Sequence, residues 1–353
     1  MNLADAVHPL RIETGGDEEA VDAFVRAHPE GTPFHRPAWT AAVEAGTGQR
    51  AHRLIAVRGG RIEGTLPLTA MRSMLFGKAL VSAGFAVGGG ALATSDEARA
   101  MLVAEGWRLA ESLGCPSLEL RGGALRAAGE GWQVKEDAYA GFARALAADD
   151  EAELKAIPRK QRAEVRKALS ADMAVTVGRG PAERAAHYAV YAESVRNLGT
   201  PVFPKRLFAA VLDRFGEDAD VLSISHGGKP VASVLSLYHA GTVMPYWGGG
   251  TRAARVLRAN ELLYFALMRH ARERGCTSFD FGRSKVGTGA YAYKKNWGFE
   301  PRPLSYATRT ADGAEPREVN PLSPRYQMQI AVWKKLPLWL ANRLGPPLAR
   351  GLG

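Results

Sequence analysis

Asp280, Arg283, Ser284 and Lys285 crowd the end of one predicted strand, and Gly287-Thr288-Gly289 follows as a flexible loop. Cations beside an acid, on a loop able to close, can grip an anionic substrate; an ordinary surface turn would use the same residues. A second basic group lies in Ile157 to Leu169, where Arg159, Lys160, Arg162, Arg166 and Lys167 are interrupted by Glu164 alone among acids. Arg159, Arg162 and Arg166 recur at helical spacing, which suits a pyrophosphate or an RNA backbone as well as a merely solvated face. His35, Arg36 and Trp39 offer a stacking aromatic and two donors for a nucleotide or sugar, although a tryptophan so placed also suits a core.

Other chemistries are missing from the pattern. Cys115 and Cys276 belong to no CxxC and no Cys/His cluster, so neither a disulfide framework nor a metal site is expected. The eight histidines are scattered, without a Ser-His-Asp or Cys-His constellation. Gly88–Gly90 and Gly248–Gly250 lack the lysine and hydroxyl residue of a phosphate loop, and read instead as places where backbones must approach closely. The net charge of +10 points to anionic partners: phosphates, nucleotide-linked substrates, RNA or an acidic membrane surface, with DNA not among them.

The elements that must position these residues are bounded by length and composition. A chain of 353 residues, 46% apolar and 23% charged, fits two globular domains and excludes wholesale disorder. No apolar run approaches the ~18 residues of a membrane span, and Met1 to Glu13 lacks a basic stretch followed by an apolar one. A cytoplasmic protein is expected, free or at the inner face of the membrane. Trp333 to Gly345 mixes tryptophans, leucines and basic residues in the manner of a membrane-interface segment. Pro337 interrupts any long helix there, so docking on the protein's own surface fits equally.

An internal repeat organises the chain. Gly31-Thr32-Pro33 recurs as Gly199-Thr200-Pro201, Ala41-Ala42-Val43 as Ala209-Ala210-Val211, and Gly59-Gly60-Arg61 as Gly227-Gly228-Lys229, each pair 168 positions apart. Gly88–Gly90 corresponds to Gly248–Gly250, and Gly114-Cys115 to Gly275-Cys276, at slightly shorter offsets. Each unit reads as two helices, a hairpin turning on two glycines, a long helix ended by Gly114 or Gly275, and a buried strand opened by a cysteine. Helices on a mixed, largely antiparallel sheet give an α/β sandwich, not a doubly wound fold. The first unit has Glu119, Gly122 and Gly123 where the second has Asp280, Arg283 and Ser284, which suggests that the second unit holds the chemistry.

This order resembles the FemAB/FemX family of tandem GNAT-like proteins, which attach amino acids from aminoacyl-tRNA to peptidoglycan precursors. The segments that carry the resemblance are Phe34 to Trp39, the basic stretch from Pro158 to Leu169, Asn260 to Ser284, and Tyr291 to Phe299. Glu193 to Phe208 and Phe279 to Pro301 look, more narrowly, like FemAB-like proteins that accompany exosortase/PEP-CTERM and exopolysaccharide systems. The resemblance implies GNAT-like domains at 1–148 and 149–310, with 311–353 as a C-terminal extension.

In the family an aromatic-Lys pair near the end of the second unit lies at the reaction centre, and Tyr293-Lys294 matches it, with tyrosine in place of phenylalanine. Acyl transfer to an amine passes through an oxyanion, so the site needs fixed positive charge or donors and a route for the amine proton. Lys294 would supply the charge and Tyr293 a hydroxyl. If the stretch is extended, Lys294 and Lys295 point to opposite sides and one alone faces the cleft; the family match favours Lys294.

Substrate binding would then fall to His35, Arg36, Trp39, Arg159, Lys160, Arg162, Arg166, Asn260, Asp280, Arg283, Lys285 and Lys295. Acetyl-CoA enzymes of this fold carry Q/R-x-x-G-x-G/A before the late helix, whereas Arg255-Val-Leu-Arg258-Ala-Asn260 has no glycine. The expectation is an N-acyltransferase with no fixed cofactor. Its donor is aminoacyl-tRNA or acyl-CoA, making tRNA a candidate partner. Its acceptor is an amino group on a cell-envelope or exopolysaccharide precursor, anionic or lipid-linked. A CoA-dependent N-acyltransferase and a non-catalytic glycan-binding component of an export system are the alternatives.

Overall fold

The computed structural model describes residues 8–73, 77–123, 131–314 and 324–353, with side chains of the last stretch described from Gln327. The chain divides into two compact units, Met1–Glu136 with Leu304–Val319 and Arg350–Gly353, and Asp137–Pro303 with Asn320–Ala349.

The first unit runs β1 (Arg11–Thr14), α1 (Glu18–Ala27), α2 (Pro37–Thr47), β2 (Arg50–Arg58), β3 (Arg61–Ser73), β4 (Gly77–Ser82), β5 (Leu92–Ala93), α3 (Asp96–Ser112), β6 (Ser117–Arg121) and β7 (Trp132–Lys135). Capping sets the helix starts: Asp17 accepts from Glu19 N at 3.0 Å, and Ser95 Oγ from Ala98 N at 3.2 Å. Gly59 and Gly60, with φ of +55° and +80°, make the tight β2–β3 turn that a residue with a Cβ would disfavour. The sheet order is β1-β2-β3-β4-β6-β15-β7, where β15 is Tyr306–Thr310, and β4–β6 is its parallel pair. Leu54, Leu66, Leu68, Leu102, Trp107 and Leu118 fill the core between sheet and α3.

The second unit repeats this order. It runs β8 (Tyr139–Ala145), α4 (Asp150–Ala156), α5 (Arg159–Leu169), β9 (Ala174–Gly178), α6 (Pro181–Leu198), α7 (Lys205–Phe215), β10 (Ala219–His226), β11 (Lys229–His239), β12 (Thr242–Gly250), α8 (Arg252–Leu257), α9 (Ala259–Glu273), β13 (Ser278–Lys285), α10 (Gly289–Asn296) and β14 (Pro301–Pro303). Helices α11 (Pro324–Lys335) and α12 (Leu338–Ala349) complete it. Its sheet order is β14-β8-β13-β12-β11-β10-β9, again with one parallel pair, β12–β13. The series β9-α6-α7-β10-β11-β12-α9-β13 repeats β1-α1-α2-β2-β3-β4-α3-β6. The two mixed, largely antiparallel sheets flanked by helices are therefore those the repeat implied.

The units do not divide at the expected 148/149. Strand β8 belongs to the second sheet, where it pairs with β13 from Ser278↔Ala145 to Lys285↔Tyr139. Glu153, fully buried, ion-pairs with Arg144 of β8 and accepts from Ala147 N at 2.9 Å, which fixes β8 to α4. Strand β15 instead lies between β6 and β7 of the first sheet. Pairing partners this distant leave no mark in local hydrophobic alternation, so the sequence could not reveal either placement. The expected extension 311–353 is likewise shared: its described helices belong to the second unit, and Arg350–Gly353 to the first.

Candidate active site

In the second unit, β12 and β13 pair only at Thr242↔Ser278 and Val243↔Phe279. Beyond these pairs the end of β12 lines a cleft of about 450 Å³. Its walls are Gly248–Gly250 of β12, Thr251 and Arg252, Arg255 of α8, Asn260 and Tyr264 of α9, Tyr293 of α10, Ser194 and Asn197 of α6, and Lys334 of α11. The glycines are required by close approach: a Cβ on Gly249 would collide with Ser194, lying 2.8 Å from its Cβ, and one on Gly250 would lie 2.6 Å from Ala254 Cβ and 2.7 Å from Asn260 Oδ1. The sequence suggested that backbones meet here; what presses on Gly249 and Gly250 is side chains.

Three polar atoms on this wall are buried with no hydrogen-bond partner among the described residues: Thr251 Oγ1, Asn260 Oδ1 and Asn197 Oδ1. Each costs on the order of 1–3 kcal/mol unless something pairs with it. Tyr293 sits in an aromatic cluster with Tyr264, Phe281 and Trp297, ring centroids 6.0–6.3 Å away. Burial first, then the charge of Glu261, pushes its hydroxyl well above the usual tyrosine range, so it remains a proton-bearing donor. Tyr264 is pushed up to about 12 by burial and the same carboxylate.

Lys294 is not part of the cleft lining. It lies on a helix, so the condition of an extended stretch is not met, with Thr288 Oγ1 capping α10 by accepting from Tyr291 N at 3.4 Å. Successive residues of a helix are about 100° apart around its axis, so Lys294 turns inward while Lys295 is exposed. The Lys294 ammonium donates to Arg283 O at 2.9 Å and lies 5.5 Å from the ring centroids of Phe142 and Phe281. Burial draws its pKa down to about 8; Asp280 opposes that shift and Arg283 adds to it. Asp280 is raised by burial, against the opposing Gly282 N–H, 2.8 Å from its Oδ1, and Lys294. A cation and an acid are thus held in an apolar recess one helix position from Tyr293.

The other expected residues scatter. Arg283 stacks over Tyr139 at 4.5 Å, and Lys285 is half-buried further along β13. On α5, Arg159, Lys160 and Arg166 are exposed, whereas Arg162 donates back to Ile157 O and Lys155 O. Arg162 therefore caps the end of α4 and leaves the basic face to the other three.

In the first unit, the loop after β4 is held by side chains of that unit. Trp39 Nε1 donates to Gly84 O at 3.1 Å, Arg121 to Ala86 O at 2.9 Å, Tyr306 to Val87 O at 2.9 Å and His35 Nε2 to Gly90 O at 3.1 Å. Arg36 pairs with Asp22 at 2.7 Å. Gly88–Gly90 lie in this loop and not in a strand, so the two triple glycines differ in backbone despite their matching places in the repeat. With Trp39 fully buried edge-on to Phe34, Trp39→Ala should cost about 3–5 kcal/mol in denaturant unfolding. A ligand-stacking tryptophan would leave stability nearly unchanged.

Ser194, Asn197, Thr251, Arg252, Tyr264 and Lys334 were not anticipated. Polar residues of this kind are common on helix surfaces, and only tertiary packing brings α6, α8, α9 and α11 to one cleft.

Residues 158–295, which contain nearly all of this cleft, match the family model described as an acetyltransferase (GNAT) domain. No curated protein matches the sequence. Among solved structures, FemX is similar over 84% of this chain and 96% of its own, at 16% identity and a TM-score of 0.65. The C-terminal domain of a putative lysylphosphatidylglycerol synthetase from Agrobacterium fabrum is similar over 83% and 91%, at 13% identity and a TM-score of 0.57. A tandem GNAT protein from the clavulanic acid biosynthesis pathway is similar over 87% and 100%, at 16% identity and a TM-score of 0.55. At these identities the likeness is one of fold. The chain therefore has the fold of tandem GNAT proteins, and residues 158–295 of its second unit match the GNAT acetyltransferase domain model.

Proposed function

We propose that this protein transfers an acyl or aminoacyl group to an amine of a cell-envelope precursor, with the cleft of the second unit as the reaction site. The observation that carries the proposal is the cleft wall itself. Thr251, Asn260 and Asn197, each with a buried, unpartnered side-chain oxygen, line with Tyr293 a space rimmed by Arg252, Arg255 and Lys334. Such groups suit a ligand that is both anionic and rich in hydrogen-bonding atoms. Arg252, Arg255 and Lys334 would hold the donor's phosphates. Tyr293 Oη would donate to the carbonyl oxygen as it becomes an oxyanion, and the recessed Lys294 ammonium would stabilise that charge through a medium of low polarity.

Two features favour aminoacyl-tRNA over acyl-CoA as donor. At the first glycine position of the CoA-type signature stands Arg258, whose φ of +57° keeps the left-handed backbone while its side chain ion-pairs with Glu164. The exposed cations of α5 and α8 (Arg159, Lys160, Arg166, Arg252 and Arg255) also extend beyond the cleft, as an extended polyanion would require. An acceptor from an exopolysaccharide or exosortase-linked system remains within the same reading. A binding-only component is disfavoured by the buried cation beside Tyr293, which a glycan-holding groove has no need of.

Tyr293→Phe removes the one oxygen proposed to act on the carbonyl and leaves the ring in its aromatic cluster. Turnover should fall roughly 100- to 1000-fold, the size of a lost oxyanion donor, while donor affinity stays within about twofold and thermal stability changes little. Unchanged kcat would remove Tyr293 from the reaction. RNase treatment of an extract active in acyl transfer should abolish the activity; its survival would assign acyl-CoA as donor.

A further inference from the structure

The α11–α12 hairpin presents two unlike faces. On α12, Ala341, Gly345 and Ala349 are buried at four-residue spacing, and Gly345 fits so closely that a Cβ would lie 3.0 Å from Val202 N. The opposite face, also at four-residue spacing, exposes Trp339, Arg343 and Pro347, with Trp339 68% exposed and Leu344 beside it at 42%. On α11, Ile330 packs on Gly199, whereas Met328, Val332 and Lys335 point outward, Met328 at 67% and Val332 at 59%. The sequence from Pro321 to Gly353 contains Arg325, Lys334, Lys335, Arg343 and Arg350 and no acidic residue. No helix of the described residues is long and apolar enough to cross a membrane.

We propose that the outward face of this hairpin binds the surface of an anionic lipid bilayer, lying in the plane of the headgroups. The docked face of α12 settles the hairpin on its own unit, so the exposed tryptophan, methionine, valine and leucine are left over from that packing. Aromatic and aliphatic side chains accompanied by cations alone match a surface that is apolar beneath and negative above, the interfacial pattern of monotopic helices. A second copy of this chain would have to accept the like charges of two such faces against each other, which disfavours self-association. Pro337 fits this geometry because it breaks the segment into two short helices that lie flat instead of one that stands upright. Lys334 belongs to α11 and also lines the cleft, so a bilayer-bound hairpin places the cleft at the lipid surface. That corollary, and with it a lipid-linked acceptor, rests on the acyl-transfer reading; membrane binding itself does not.

The test is co-sedimentation of the full chain with vesicles of phosphatidylcholine alone and of phosphatidylcholine mixed with phosphatidylglycerol. The wild type should partition onto the mixed vesicles roughly tenfold more strongly, and high salt should erase most of the difference. Trp339→Glu should reduce partitioning on both kinds of vesicle. Lys335→Gln combined with Arg343→Gln should remove the preference for phosphatidylglycerol. Unchanged thermal melting of these variants, whose altered side chains are exposed, shows that the fold is intact. Equal partitioning of wild type and Trp339→Glu would overturn the proposal, as would failure to bind the mixed vesicles. A concentration-dependent dimer dispersed by Trp339→Glu would assign the face to a second copy and would also overturn it.

Discussion

Lys294→Met should lose at least about a hundredfold in turnover and should abolish the pH dependence of stability that the buried ammonium creates. Both effects come from one fact: the ammonium is kept where water is scarce. Its pKa falls from 10.5 to about 8 in the folded chain, mainly through burial. The charged form is thus less at ease folded than unfolded. Below pH 8 both states carry the proton and the full cost is present. Between pH 8 and 10.5 the unfolded chain binds more protons than the folded one, so wild-type stability rises with pH, and above 10.5 the cost is gone. Methionine has similar length and no charge, so it abolishes this slope as well as the cost. If the charged form serves catalysis, wild-type kcat should decline above pH about 8, with the Met variant flat. A rate that instead climbs through pH 8 would make the neutral amine a base and reverse the assignment.

Gly249→Val should reduce donor affinity by roughly a hundredfold or more and cost on the order of 2–4 kcal/mol in stability, because overpacking acts on the cleft wall itself. The first carbon of any side chain at this position already collides with Ser194 of α6, 2.8 Å from its Cβ. Ser194 and Gly249 both line the cleft, so relief of the clash moves one wall or the other. Pairing Gly249→Ala with Ser194→Gly separates folding from binding. The double variant should regain most of the stability, whereas the methyl retained on the wall should keep the donor weakly bound. Full recovery of affinity would place the donor elsewhere. Equilibrium unfolding and direct binding of charged and uncharged tRNA measure the two quantities independently.

Local chemistry made the order of elements readable. The paired glycines Gly59-Gly60 and Gly227-Gly228 marked both hairpins, and Gly114 and Gly275 marked the ends of both long helices. What no local pattern contained was partnership at a distance. Nothing in Tyr139–Ala145 or Tyr306–Thr310 says which sheet each strand joins. The same limit applies to the cleft. Asn260 is among the residues expected to bind substrate, but Tyr264, Ser194 and Lys334 are ordinary helical residues until packing brings them together. The stretch from Tyr291 to Asn296 could be extended or helical by composition, and Thr288 Oγ1, capping it, decides for the helix. His35, Arg36 and Trp39 had the composition of a binding site, yet they hold carbonyls and a carboxylate of the first unit. Composition cannot distinguish a donor aimed at a ligand from one aimed at the backbone.

Mass spectrometry of amine-bearing envelope precursors from cells producing either the wild type or Lys294→Met at equal abundance tests the proposed reaction most directly. Wild-type cells should contain precursors heavier by one acyl or aminoacyl group, and cells with the variant should accumulate the unmodified form. Identical precursor spectra from the two strains, with both proteins folded, would contradict transfer at this site.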